Sequence, residues 1–160
     1  RAPFLNGFRQ TEEHAADLKA TIAWARATAK VPVWLVGTSR GTQSAAYAAT
    51  VLQGADAPDG VVLTATILAD DKQRPVPAMP LEQIKVPVLV VHHQQDGCSY
   101  CAYSEIPNLM GKLTHTPRSH LITATGGKNQ GDACAAFAYH GFNGLEADVV
   151  GQMADWILAP

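Results

Sequence analysis

The 160-residue chain has little net charge, because 12 Lys and Arg nearly cancel 14 Asp and Glu to leave −2. No basic stripe results, which argues against nucleic acid and anionic membrane surfaces as partners. Long apolar runs are missing as well. The longest, from Val61 to Ala69, is broken by threonines and falls short of a membrane span. Cysteine is scarce, with Cys98, Cys101 and Cys134 alone, and an odd count cannot be fully paired within one chain. Without repeats, low-complexity segments or a linker, residues 1–160 read as a single domain. There is no initiator Met: the chain opens on Arg1, and the expectation is that it was processed or cut from something longer.

What is present is an apolar content of 47%, ample for a core, arranged in alternating strand and helix signals. Thr11-Glu12-Glu13 suits a helix start, where a hydroxyl and negative charge meet unpaired N–H groups. Ala15, Leu18, Ile22, Ala25 and Ala29 then recur at helical spacing. The run 31–36 predicts a strand, 40–54 a helix, 61–68 a second strand and 86–91 a third. Prolines 75, 77, 80 and 87 mark a loop with one helical turn near Leu81 to Ile84. A modest helix over 102–113, a fourth strand over 119–125 and an amphipathic helix over 145–158 complete the order. The fold class is therefore α/β: a parallel sheet of about four strands flanked by helices. Trp34 and Trp156 read as core, and Tyr103 and Phe142 as candidates to line a pocket.

The most informative residues are Gly37-Thr38-Ser39-Arg40-Gly41, set between the first strand and the helix that follows. A G-x-S-x-G turn in that setting is a nucleophile elbow, whose glycines allow close approach of strand and helix. Parallel sheets carry their active sites at the carboxyl ends of the strands, so partners for Ser39 belong just beyond other strands. Asp96 lies in a turn after the third strand, and His140 follows the fourth after a long loop. Nucleophile, acid, base is the chain order expected of such a site. Ser39 is then the nucleophile, His140 the base and Asp96 the group that orients it, while the Arg40 backbone N–H supplies one oxyanion donor.

With these residues in hand, the chain resembles the carboxyl-terminal half of an α/β-hydrolase. The similarity is to a bacterial serine-hydrolase branch with G-T-S-R-G, then H-H-x-x-D-x-C, then C-x-x-x-x-Y/W-H-G-F. Here these are Gly37 to Gly41, His92 to Cys98 and Cys134 to Phe142. The resemblance implies cleavage of an ester or related acyl bond in a small molecule, with no cofactor and no metal. It implies a Cys98–Cys134 disulfide between acid loop and histidine loop, with Cys101 as the rival partner; such a bond would favour a periplasmic or secreted setting. It also implies strands ahead of the elbow, and with them a second oxyanion donor that no segment of this chain supplies. Strand 31–36 is thus expected to be a bare edge, covered by a missing amino-terminal half or paired in a homodimer. The alternative is a catalytically weak or inactive hydrolase-like fragment that acts as a binding or interaction domain.

Other residues admit plainer roles. His92 and His93 read as helpers to the loop that holds Asp96; a metal cluster with Cys98 and Cys101 lacks the paired spacing of a zinc site. Cys98-Ser-Tyr-Cys101 is a C-x-x-C, but does not open a helix as a redox pair does. The Arg40 side chain is expected to pack against neighbouring loops rather than meet an acidic substrate. Asp70, Asp71 and Asp132 read as solvated loop charges, although Asp70 follows the second strand and is the competing acid. The short loop at 69–85 predicts an open site.

Overall fold

The computed structural model describes Leu5 and residues 7–159. Four parallel strands form one sheet in the order β1-β2-β3-β4. They are β1 (Trp34–Thr38), β2 (Gly60–Thr64), β3 (Val88–His93) and β4 (Ser119–Ala124). The helices are α1 (Glu12–Ala29), α2 (Arg40–Val51), α3 (Ile106–Gly111) and α4 (Glu146–Leu158). The expected α/β architecture is thus observed, with the register shifted at several ends.

Proline accounts for two of those shifts. The strand expected over 31–36 occupies 34–38 instead, beginning after Pro32, which has no N–H to give a ladder. Val31 is left outside it, 56% exposed. Likewise β3 starts after Pro87 and runs on through His92 and His93, both fully buried, which the expected span of 86–91 left out. β2 stops at Thr64 rather than Leu68, because Ala65 takes a left-handed φ of 44° and turns the chain. Helix α2 ends at Val51, where the Leu52 N–H bonds back to the Ala48 carbonyl, short of Gly54. The helix expected over 102–113 is a 3-10 turn, Tyr103–Glu105, followed by α3, which starts beside Pro107 as a first-turn residue.

Both central strands are buried on two faces. Val61, Leu63, Val88 and Val90 meet Ala45, Ala46 and Ala49 of α2 together with Ile106 and Leu109 of α3. Their alternates, Val62, Leu89 and Val91, meet Phe142 and Val149 on the α4 side. That is the two-residue period of a pleated strand serving two helical layers. Trp34 and Trp156 close this second layer edge to face, with ring centroids 5.8 Å apart.

Thr11 caps α1 as read, its Oγ1 accepting from the His14 N–H. Only Ala15 and Ile22 of the expected face are buried; Ala29 is exposed. The proline-rich segment is a packed structure with two 3-10 turns, Val76–Ala78 and Leu81–Gln83, whose Val76, Leu81 and Ile84 belong to the core. At the other side of the sheet β1 is an edge strand, and its Val36 is 55% exposed. Apolar grooves of about 280 and 250 Å³ flank it, one against α4 and one against α1 and α2.

Candidate active site

Ser39 stands between β1 and α2 with φ 50° and ψ −121°, a conformation that a non-glycine residue holds only when its surroundings impose it. Here they do. The Ser39 N–H donates to the Thr64 carbonyl at 3.0 Å. The Ser39 carbonyl accepts from Thr42, from its N–H at 2.9 Å and its Oγ1 at 2.6 Å. Thr38 and Thr64 share a 2.7 Å hydroxyl contact beneath the turn. Of the two motif glycines, only Gly37 is required for space; a Cβ at Gly41 would meet nothing within 4 Å. Arg40 is the first residue of α2, where its N–H has no intrahelical acceptor.

The Arg40 guanidinium pairs with Asp70 and lies over the Tyr100 ring, 4.7 Å from its centroid. It packs against loops, as expected. Asp70, in contrast, is not the solvated charge that its loop position implied. Its side chain is fully buried and also accepts from the N–H groups of Lys72 and Gln73. Burial alone would raise its pKa; the Lys72 N–H, the Arg40 guanidinium and the Gln73 N–H outweigh that and hold it below the ordinary value. Asp70 therefore serves the elbow's own side chain and is committed away from His140.

Asp96 is the carboxylate that meets the histidine. His140 Nδ1 lies 2.9 Å from Asp96 Oδ2, and both side chains are buried. Asp96 Oδ1 accepts the Cys98 N–H at 2.9 Å, which fixes the turn. Because a carboxylate only accepts, His140 carries a proton on Nδ1, and in the neutral ring Nε2 is then the lone-pair acceptor. That Nε2 is buried and has no hydrogen-bond partner, so Ser39 does not hydrogen-bond it in this structure. Yet their neighbours Thr38 and Gly141 line one groove, together with Thr64, Phe142, Val149 and Met153.

The histidine turn shows what the H-G-F residues each do. His140 sits in the single 3-10 turn Tyr139–Gly141. A Cβ on Gly141 would stand 2.1 Å from the Ala136 carbonyl oxygen, so only glycine fits. Phe142, at φ 57°, plugs into the core on the α4 side. It lines the groove beside the elbow, whereas Tyr103 reaches away to hydrogen-bond Thr123 of β4. The crowding at Gly141 and the anchoring of Phe142 were not foreseen from spacing alone; the adjacency of a glycine and a large apolar residue to the histidine is the signal that carries them.

Cys98 and Cys134 form a disulfide across 36 residues, joining acid turn to histidine loop. Cys101 is the free thiol, buried, with its pKa pushed up to about 12 by burial and then by the Asp96 charge. The thiol and the Cys98 sulfur lie within 4.8 Å of a His140 nitrogen and of each other. Bonded to Cys134, however, the Cys98 sulfur has no thiolate to offer a metal. His92 donates from Nε2 to the Cys101 carbonyl at 2.7 Å, with Asp96 Oδ2 3.7 Å away. Burial lowers its pKa and keeps the ring neutral, against the opposing pull of the Cys101 carbonyl and Asp96. His92 Nδ1, like His140 Nε2, is buried without a hydrogen-bond partner.

No protein-family model matches the chain. Nor does any curated protein sequence. Solved structures do. A dienelactone hydrolase from Anabaena variabilis aligns with a TM-score of 0.55 at 19% identity, over 88% of this chain and 56% of that one. One of two metagenome-derived lipolytic enzymes aligns at 0.59 and 14% identity, over 89% and 71%. A cold-adapted esterase from an Arctic intertidal metagenomic library aligns at 0.52 and 19%, over 71% and 46%. These are proteins of the α/β-hydrolase fold, and this chain has that fold. It spans about half the length of the first of them.

Proposed function

We propose that the chain carries the catalytic centre of a serine hydrolase that cleaves an ester or related acyl bond in a small molecule. One observation carries the reading: a buried His140 whose Nδ1 is held by Asp96 while its Nε2 is left without a partner, at the same sheet end as a serine in a strained turn. A buried, unsatisfied acceptor is costly and asks for an explanation, and a base awaiting a proton is one.

In this mechanism His140 Nε2 takes the proton from Ser39 Oγ as the oxygen attacks the acyl carbon. Asp96 stabilises the imidazolium that results. The Arg40 N–H donates to the oxyanion. As the intermediate collapses, His140 returns the proton to the leaving alcohol oxygen, and the acyl group remains on Ser39. Water, deprotonated by the same nitrogen, attacks the acyl-enzyme; as the ester bond breaks, His140 passes that proton to Ser39 Oγ, releasing the acid and free serine. Ser39 or His140 replaced by alanine should lose about 10⁶ in kcat, as in comparable triads. The test is a fluorophosphonate probe followed by peptide mapping: covalent label on Ser39 is the expected result, and folded protein that stays unlabelled overturns the reading. The disulfide supports an oxidising compartment, periplasmic or secreted, as the working location.

The open β1 edge favours a second reading, in which this unit is a weak or inactive binding domain that pairs through that strand. One oxyanion donor is worth about 3–4 kcal/mol, so a chain with Arg40 alone would turn over slowly until a second is supplied. A strand from an amino-terminal half, or from a second copy, would cover Val36. Light scattering separates the two, since only the second copy gives a dimer.

A further inference from the structure

His92 and His93 are adjacent and both fully buried, yet they serve different parts of the site. His92 holds one loop, through the Cys101 carbonyl. His93, the last residue of β3, touches three. Its Nδ1 accepts the Gln95 N–H at 3.0 Å, and its own carbonyl accepts the Asp96 N–H at 3.1 Å. Its Nε2 meets the Gly126 carbonyl at 3.0 Å, in the loop after β4. The ring lies flat on Tyr139, centroids 4.3 Å apart and planes 6° from parallel. Tyr139 is the residue directly before His140, in the same 3-10 turn.

The hydrogen bonds leave one tautomer. A carbonyl can only accept, so Nε2 carries the proton; a backbone N–H can only donate, so Nδ1 is bare. Both nitrogens are satisfied by backbone groups of separate segments, which no other side chain of similar shape does at both positions. The disulfide already ties acid turn to histidine loop, but at Cys98 and Cys134, residues beyond Asp96 and before the histidine turn. The imidazole works on the reacting segments themselves.

Building on the Ser39–His140–Asp96 assignment, we propose that His93 is a positioning residue. Its imidazole sets the Asp96 turn and the His140 turn in register, by the Nδ1 bond to the Gln95 N–H on the acid side, the Nε2 bond to the Gly126 carbonyl and a stacked ring on the base side. It does not touch substrate. Losing it misplaces Asp96 relative to His140 Nδ1, so the chemical step suffers and binding does not.

The test uses the intact, oxidised protein and p-nitrophenyl acetate. His93→Ala is expected to lower kcat by up to about a hundredfold with KM unchanged, the cost of a misplacement of about 1 Å in a reacting geometry. The low-field proton resonance of His140 Nδ1–H, bonded to Asp96, is expected to broaden or shift. Tyr139→Leu removes the stack alone, keeps both hydrogen bonds of the His93 ring and should give a smaller loss of the same kind; it decides the matter if His93→Ala does not fold. His93→Asn, whose amide oxygen can still accept the Gln95 N–H, should recover part of the loss. A folded variant with a native resonance overturns the proposal, whatever its rate, and so does a change confined to KM. If the wild-type protein neither turns over nor labels at Ser39, the hydrolase reading fails, and the resonance alone decides whether His93 positions His140.

Discussion

Gly37 lies against the backbone of Gly41 across the elbow: a Cβ built on Gly37 would stand 2.5 Å from the Gly41 carbonyl oxygen and 2.9 Å from the Thr42 Cα. These are backbone atoms of α2, which cannot move aside without carrying Ser39 with them. Gly37→Ala should therefore destabilise by about 1–3 kcal/mol, the range for overpacking, and reduce Ser39 labelling. Gly41→Ala, with open space at its Cβ, should fold like the wild type. Thermal melts of both variants check the contrast; equal midpoints would contradict the packing described.

The strain at Ser39 predicts a trade between stability and reactivity. At φ 50° and ψ −121° a serine costs of order 1–3 kcal/mol that glycine avoids. Ser39→Gly should raise the denaturation midpoint while abolishing fluorophosphonate labelling. A lowered midpoint would mean that the turn is not strained.

The two candidate acids should separate cleanly. Asp96→Asn keeps the shape but loses the charge that orients His140, and should cost about 10⁴ in kcat. Asp70→Asn should leave most turnover, because Asp70 faces Arg40, and act on stability instead. The folded-state pKa of Asp70 lies below its ordinary value of 3.8. Its contribution is thus present above that value and lost as pH falls through the lower, folded one. The difference in melting temperature between wild type and Asp70→Asn should hold steady from neutral pH down to the ordinary value, then shrink in stronger acid.

Reducing the Cys98–Cys134 bond frees a loop with 36 residues of separation, which the chain-entropy estimate values at about 3–4 kcal/mol. Urea titrations with and without a phosphine reductant measure it. Cys101 should stay unalkylated by iodoacetamide at pH 8 until the protein unfolds, since the thiol is buried and titrates at about 12. Rapid modification of the folded protein would contradict both its burial and its protonation.

The elbow, the acid turn and the histidine turn were legible because each follows a strand end, and strand ends in a parallel sheet share one side. What was not legible depends on contacts between distant segments. His92 and His93 were placed beyond β3 because apolar runs define buried strands, and a polar residue closes the run. Both are buried within the strand, where the Cys101 and Gly126 carbonyls take up one ring nitrogen of each. Asp70 looked solvated for the same reason: its partner Arg40 comes from α2. In the proline-rich segment, loop chemistry was plain but the burial of Val76 and Leu81 was not, because turns reveal nothing of what packs beneath them.

The sequential strand order has a consequence for the base. With neighbouring strands roughly 4.8 Å apart, β4 lies on the order of 14 Å to the side of β1, which delivers Ser39. His140 descends from the far rim of the sheet and must be carried back over β3 before it can reach the proposed nucleophile at the near one. Residues 125–139 are the tether for that return trip, and the Gly126 and Tyr139 contacts with His93 are its moorings along the way. The length of this segment is thus a lateral reach, dictated by how many strands separate Ser39 from His140, and shortening it would strand His140 on the wrong side of Asp96, to which its Nδ1 bonds.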